Sequence, residues 1–249
     1  MADPALVAAI EQASLWAWPP RETRHLHGWL LRAGGTGSRR VSSARTLAFD
    51  AAVPVERAIA EAAAWYEARD LPCAFQLTEL ASPADLDRRL EEQGYGLATP
   101  TLVMTAPLAG SIAGEGVELL HRPSQIVLNA MAEPGWTDAL RRERAALLAR
   151  IRRPYRLGFV TVGGEPAAGG LVVADGALAV LFGLRTQGPF RRQGMGRRLL
   201  RGLLAWAWAQ GARQAYLQVE EANESARALY GEEGFAPVYR YWYRVAPGA

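Results

Sequence analysis

The chain has 249 residues, half of them apolar and 21% charged, which describes one large or two small globular domains and excludes a disordered or fibrous chain. Its 28 basic residues, all Arg, face 25 acidic ones, and a net charge of +3 is too balanced to argue for a nucleic-acid partner. One cysteine (Cys73) and three histidines (His25, His27, His121) exclude a disulfide framework and make a poor metal set, and no run of 18 apolar residues or signal-peptide pattern is present, so a reduced, cytoplasmic protein without metal or membrane partner is expected.

In chain order, a short helix is predicted over 4–13. Strands follow at 27–32 and 40–49, joined through Gly34 and Gly35. Pro54 opens a helix to 69, 73–78 is a strand, Ser82 and Pro83 open a helix to Gln93 that Gly94 ends, and 97–105 is a strand. The stretch PLAGSIAGEG (107–116) is small and nearly uncharged, as a linker should be, so we expect domains at 1–106 and 117–249. The second part opens with a strand at 117–120 and a helix near 124–131. Thr137 caps an Arg-rich helix to Arg152, stopped by Pro154. Strands at 156–162, 167–174 and 177–186 are linked by the hairpin turns GGEP and Asp175-Gly176. A helix over 194–210, a strand over 214–219, a helix over 222–232 and a strand over 235–245 complete an α+β pattern on a mixed sheet flanked by helices.

The two parts repeat. Trp65 and Trp206 lie 141 positions apart, AFQLTE (74–79) aligns with AYLQVEE (215–221) with a one-residue slip, and LEEQGY (90–95) falls on YGEEGF (230–235) at offset 140. Helix, strand, helix ending in Glu-x-Gly-aromatic, then strand recurs in order, so a duplicated fold is expected.

The chemistry concentrates in the second part. Between strand 177–186 and the next helix runs LRTQGPFRRQGMGRRLL (184–200), which contains R-x-x-G-x-G. A helix N-terminus offers unpaired N–H groups and a positive dipole end, glycines admit an anion close to the backbone, and arginines add charge-assisted contacts. A third glycine at Leu199 would be needed for a dinucleotide fingerprint, and a lysine for a nucleotide-hydrolase loop; both are missing. After the following strand comes Asn223-x-x-Ala226-x-x-Leu229-Tyr230-x-x-x-Gly234-Phe235, with Asn223, Ala226 and Tyr230 spaced along one helical face.

These two segments, in this order and spacing, resemble the GNAT superfamily of acetyltransferases, which move an acyl group from acyl-coenzyme A to an amine. The resemblance covers roughly 117–245, and the whole chain resembles tandem bacterial members with a degenerate first copy. It implies acetyl-CoA as cosubstrate and a small-molecule or peptide amine as acceptor. It implies that Leu184, Arg185 and Thr186 hold the pantetheine arm, and that Arg191, Arg192, Gln193, Gly194, Met195, Gly196 and Arg197 cradle the pyrophosphate. Asn223 would touch the arm and Tyr230 would protonate the leaving thiolate.

A backbone N–H near Leu184 suits the developing oxyanion. Strand 177–186 carries no carboxylate, so Glu220 and Glu221 are the candidate bases, with a water chain as the alternative. Glu133 and Trp136 are candidate acceptor-pocket residues. In the first part, Asp50, Val53 and Val55 replace Arg191, Gly194 and Gly196, and Leu90 replaces Tyr230, so that copy should bind no coenzyme. The competing reading is a non-catalytic acyl-CoA-binding or partner-docking module. Oligomeric state, acceptor and acyl length are open. The arginines at 141–153 read as a solvated face, with an acidic acceptor or a partner as the alternative, Tyr239, Tyr241 and Tyr243 as one side of a half-buried strand, and Trp206 and Trp208 as core.

Overall fold

The computed structural model describes residues 3–35, 37–108, 110 and 116–248. The first part forms α1 (Pro4–Ala17), β1 (Glu22–Leu26), β2 (Trp29–Ala33), β3 (Ala44–Arg45), α2 (Val55–Glu67), β4 (Ala74–Thr78), α3 (Leu86–Glu92) and β5 (Gly96–Pro107). The second forms β6 (Glu118–Leu120), α4 (Gln125–Met131), α5 (Asp138–Leu148), β7 (Tyr155–Val162), β8 (Glu165–Asp175) and β9 (Leu178–Thr186). It ends with α6 (Met195–Ala209), β10 (Gln214–Glu220), α7 (Glu224–Glu232) and β11 (Ala236–Val245). In the expected linker, 109 and 111–115 lie outside the described residues.

All strands join one mixed sheet, in the order β1-β2-β3-β4-β11-β5-β10-β9-β8-β7-β6. Among the described residues only the β3–β4 and β9–β10 pairs are parallel. The last strands of the two parts are exchanged: β5 lies between β11 and β10, and β11 lies between β4 and β5. Outward from this central pair, the order β4-β3-β2-β1 on one side mirrors β10-β9-β8-β7 on the other. The repeat seen in the sequence is therefore also a repeat of topology.

Side chains alternate across the sheet, as the two-residue period of a strand requires. Leu171 and Val173 of β8 face a core shared with α1, α4 and α5, and Val172 faces α6. On the α6 side, Leu199, Leu200, Leu203, Leu204 and Ala207 form a buried helical stripe. At Gly158 a Cβ would stand 2.7 Å from Leu203, so the missing side chain lets α6 lie close on the sheet. A third core fills the space between α2, α3 and the strands of the first part, and Leu90 is fully buried in it with Val53 and Val55 packed at its edge.

Several elements differ from expectation: α1 runs to Ala17 rather than 13, and β1 (Glu22–Leu26) precedes a strand that starts at Trp29 rather than 27. The strand read over 40–49 shrinks to Ala44–Arg45 after a 3-10 turn at Arg39–Val41, because Ser42 Oγ donates to Gly35 O and Ser43 Oγ donates to Arg39 O (2.7 Å). These local bonds replace ladder bonds. The Arg-rich helix, capped by Thr137 as predicted, stops at Leu148 rather than Arg152. Trp206 and Trp208 are half-buried at the core's edge, where Arg156 and Arg213 lie over their rings at 5.2 and 3.8 Å.

α1 is pinned across the sheet by a buried polar chain. Glu11, 1% exposed, accepts from Tyr239 Oη at 2.7 Å and from Gln76 Nε2 at 3.3 Å. Gln76 Oε1 in turn accepts from the buried Arg32. Glu11→Ala leaves two buried donors without an acceptor, and at about 1–3 kcal/mol each the expected loss is about 3 kcal/mol. That lowers the unfolding midpoint by roughly 6–12 °C, whereas Glu11→Gln, which keeps one acceptor, loses less than half as much. Calorimetry of the two variants checks this.

Candidate active site

The site begins where two parallel strands part. β9 and β10 pair only from Leu178–Gln214 to Leu181–Leu217. Beyond that point β10 stays on β5, up to Glu220 opposite Thr101, while β9 stays on β8, up to Thr186 opposite Ala168. The divergence opens a wedge at the carboxyl ends of the strands, the usual place for a ligand in such sheets. β9 is also bulged: Gly183 and Leu184 both face Gly170, and Gly183 has φ of +60°. The split frees the Leu184–Thr186 edge that faces β10, while Arg185 and Thr186 stay paired to β8.

A 3-10 turn at Gly188–Phe190 leads from β9 into α6. Gly194 is the N-cap residue in the left-handed region (φ +80°), and Arg192 also has positive φ, at +61°. A Cβ built on Gly194 meets no atom within 4 Å, so it projects into open cleft. A Cβ on Gly196 would stand 3.0 Å from Thr186 Oγ1, so this glycine holds the helix start against β9. The loop is thus a concave run of backbone with an unpaired helix N-terminus beneath it, and these features fit a pyrophosphate.

On the far wall, α7 is capped by Asn223, whose Oδ1 accepts from Ala226 N at 3.2 Å and from Ser225 Oγ at 3.2 Å. That use of the carbonyl leaves the amide N–H groups for the cleft. Tyr230 lies one face along the same helix, 7% exposed, with its ring 6.1 Å from that of Phe235. Burial pushes its hydroxyl up to about 12, only partly offset by the positive charge of Arg40.

The cleft between these walls has a volume of about 620 Å³. It brings together Leu184, Arg185, Thr186, Arg191, Arg192, Gly194, Met195, Gly196, Arg197, Asn223 and Tyr230. Gln193 is not on its wall; its side chain donates to Pro189 O at 2.9 Å. Arg197 is held by Glu232 and sits 3.0 Å from Glu233, so its charge is already partly matched. Arg191 and Arg192 form no ion pair among the described residues.

A second cavity of about 310 Å³ shares Leu184 and Arg185 with the first. Glu220, Glu133 and Trp136 line it. So do residues that sequence reasoning did not single out: Trp18 of α1, Arg39 and Arg40, Thr99 and Thr101 of β5, and Arg144 of α5, with Tyr241 and Tyr243 of β11. The strand exchange explains this mixture, because β5 brings first-part residues beside Glu220. Arg144 was read as part of a solvated face; it is half-buried, with its guanidinium over the rings of Trp18 and Trp136. Among the described residues no group of three or more His, Cys, Asp or Glu is placed to hold a metal ion, and no helix is long and apolar enough to cross a membrane.

Residues 5–244 match the family described as "Probable histone acetyltransferase Rv0428c C-terminal". The protein named Uncharacterized N-acetyltransferase YobR from Bacillus subtilis is 27% identical over 96% of this chain and 98% of its own length. The probable histone acetyltransferase Rv0428c of Mycobacterium tuberculosis is 29% identical over 90% of this chain and 69% of its own. Among solved structures, a GCN5-related N-acetyltransferase from Kribbella flavida superposes with a TM-score of 0.67 at 21% identity, covering 97% of this chain and 96% of that one. A tandem GNAT protein from the clavulanic acid biosynthesis pathway gives 0.61 at 14% identity, covering 96% and 88%. With this sheet, this family match and these relatives, the chain belongs to the Rv0428c C-terminal family of GNAT-superfamily acetyltransferases.

Proposed function

We propose that the chain transfers an acetyl group from acetyl-CoA to the nitrogen of an amine, by direct attack on the thioester, at one site in its second part. The observation that carries this reading is the junction of two cavities at Leu184 and Arg185. The larger holds the anion-binding loop and Tyr230, and the smaller holds Glu220. The loop from Arg191 to Gly196 would receive the pyrophosphate and the freed edge of β9 the pantetheine arm. The Leu184 N–H would face the developing oxyanion. Glu220 would take the amine proton as the C–N bond forms. Tyr230 would supply a proton to sulfur as the C–S bond breaks, so the amide and the free thiol leave in balance. Residues 1–106 would complete the acceptor cavity rather than bind a second coenzyme: Val53 and Val55 pack at a core edge where the second part has glycines, and Leu90 is buried where it has Tyr230.

Thermal unfolding with acetyl-CoA tests the first step. At 100 times Kd the ligand should add about 2.7 kcal/mol, which for a chain of this size raises the midpoint by roughly 5–10 °C. Thiol release on adding amines tests the second. A shift without transfer to any amine would leave a coenzyme-binding module, and no shift with acetyl-CoA or longer acyl-CoAs would overturn the reading.

A further inference from the structure

We infer that the acceptor carries an anionic group, in its simplest form a carboxylate, a few bonds from the amine, and that Arg144 and Arg40 receive it. The inference rests on the acetyl-transfer reading and narrows its acceptor. The smaller cavity is lined by Arg39, Arg40, Arg144 and Arg185 against only Glu133 and Glu220, an excess of positive charge in a space suited to a small molecule.

Arg144 makes no ion pair with a described carboxylate. Burial pushes it down to about 10, Glu133 and Glu143 oppose this only at longer range, and the positive charge of Arg40 adds to it. Its guanidinium lies 4.5 Å from the Trp18 ring centroid and 5.0 Å from that of Trp136. No described hydrogen bond uses its N–H groups, which leaves them for a planar, two-pronged acceptor such as a carboxylate. Arg40 spends Nε on Tyr241 Oη at 3.1 Å, and no described hydrogen bond uses its Nη groups. One further group of the same cavity, Trp18 Nε1, is buried without a hydrogen-bond partner. Buried polar atoms are rarely left unpaired, so it points to a polar ligand. The amine end of the acceptor belongs at the mouth by Leu184 and Glu220, with the anionic end toward Arg144. The same charges disfavour a Lys- and Arg-rich peptide.

The test compares matched acceptors: free amino acids, their α-amides and a lysine-rich peptide, each with acetyl-CoA and a thiol-release readout. Transfer to any acceptor of the panel, together with acetyl-CoA binding measured by calorimetry, distinguishes a failure of this inference from a failure of the acetyl-transfer reading. With acetyl-CoA bound, kcat/KM should favour the carboxylate member of a pair by about tenfold or more. Arg144→Gln should abolish that preference by raising KM, with acetyl-CoA affinity unchanged, and Arg144→Lys should restore part of it. Equal rates within pairs, a preference for the amides, or the basic peptide as best acceptor would each overturn the inference. So would transfer to the amides or the peptide but to none of the carboxylates.

Discussion

Tyr230→Phe is expected to lower kcat by a hundredfold or more, the usual size of a positioned acid's contribution, and to leave the Kd for acetyl-CoA within about twofold. The substitution removes one oxygen. The ring keeps its packing against Phe235 in the α6–α7 core, so the unfolding midpoint should hold. At first sight a hydroxyl pushed up to about 12 is a poor donor to a thiolate whose reference value is about 8.5. The comparison changes when both groups are dry. In this same molecule, burial pushes the Cys73 thiol to about 12. A thiolate released beside the buried Tyr230 hydroxyl is raised by the same physics, which narrows the gap between the two groups. A variant with full turnover would remove Tyr230 from the acid role and give that role to water.

This region was legible in the sequence because its demands are local. The glycines at 194 and 196, the helix start and the helical spacing of Asn223, Ala226 and Tyr230 all lie within one unbroken run of elements. The smaller cavity was legible only in part, through Glu133, Trp136 and Glu220, because α1, the turn at Arg39–Val41, β5, α5 and β11 meet there from across the chain. Its residues are ordinary arginines, threonines and aromatics whose periodicity reports only a face. The strand exchange was equally silent. Tyr239, Tyr241 and Tyr243 do alternate as read, and all are buried, but that alternation is satisfied whether β11 lies beside β4 or beside β10. The reading of 40–49 as a strand failed for a different reason: Ser42 and Ser43 bond to nearby backbone, an option that hydrophobic pattern does not weigh.

Gly194→Glu is expected to raise the Kd for acetyl-CoA by at least a hundredfold and so to erase its thermal stabilisation. The protein itself has room for the side chain, since a Cβ at this position meets nothing within 4 Å. The backbone cost of a non-glycine residue at φ +80° is about 1–3 kcal/mol. A carboxylate there sits at the N-terminus of α6, where the dipole and the unpaired N–H groups favour it, and that offsets part of the strain. The helix start thus gains its own anion, placed where the pyrophosphate would go. Like charges brought together at a binding site cost several kcal/mol, and each 1.4 kcal/mol is tenfold in affinity. Gly194→Ala isolates the charge, because it carries the same backbone strain and no carboxylate. Its Kd should rise less than about tenfold. If alanine and glutamate weakened binding equally, the loop would act through shape alone; if neither did, the pyrophosphate would have to bind elsewhere and the placement of the coenzyme over α6 would fall.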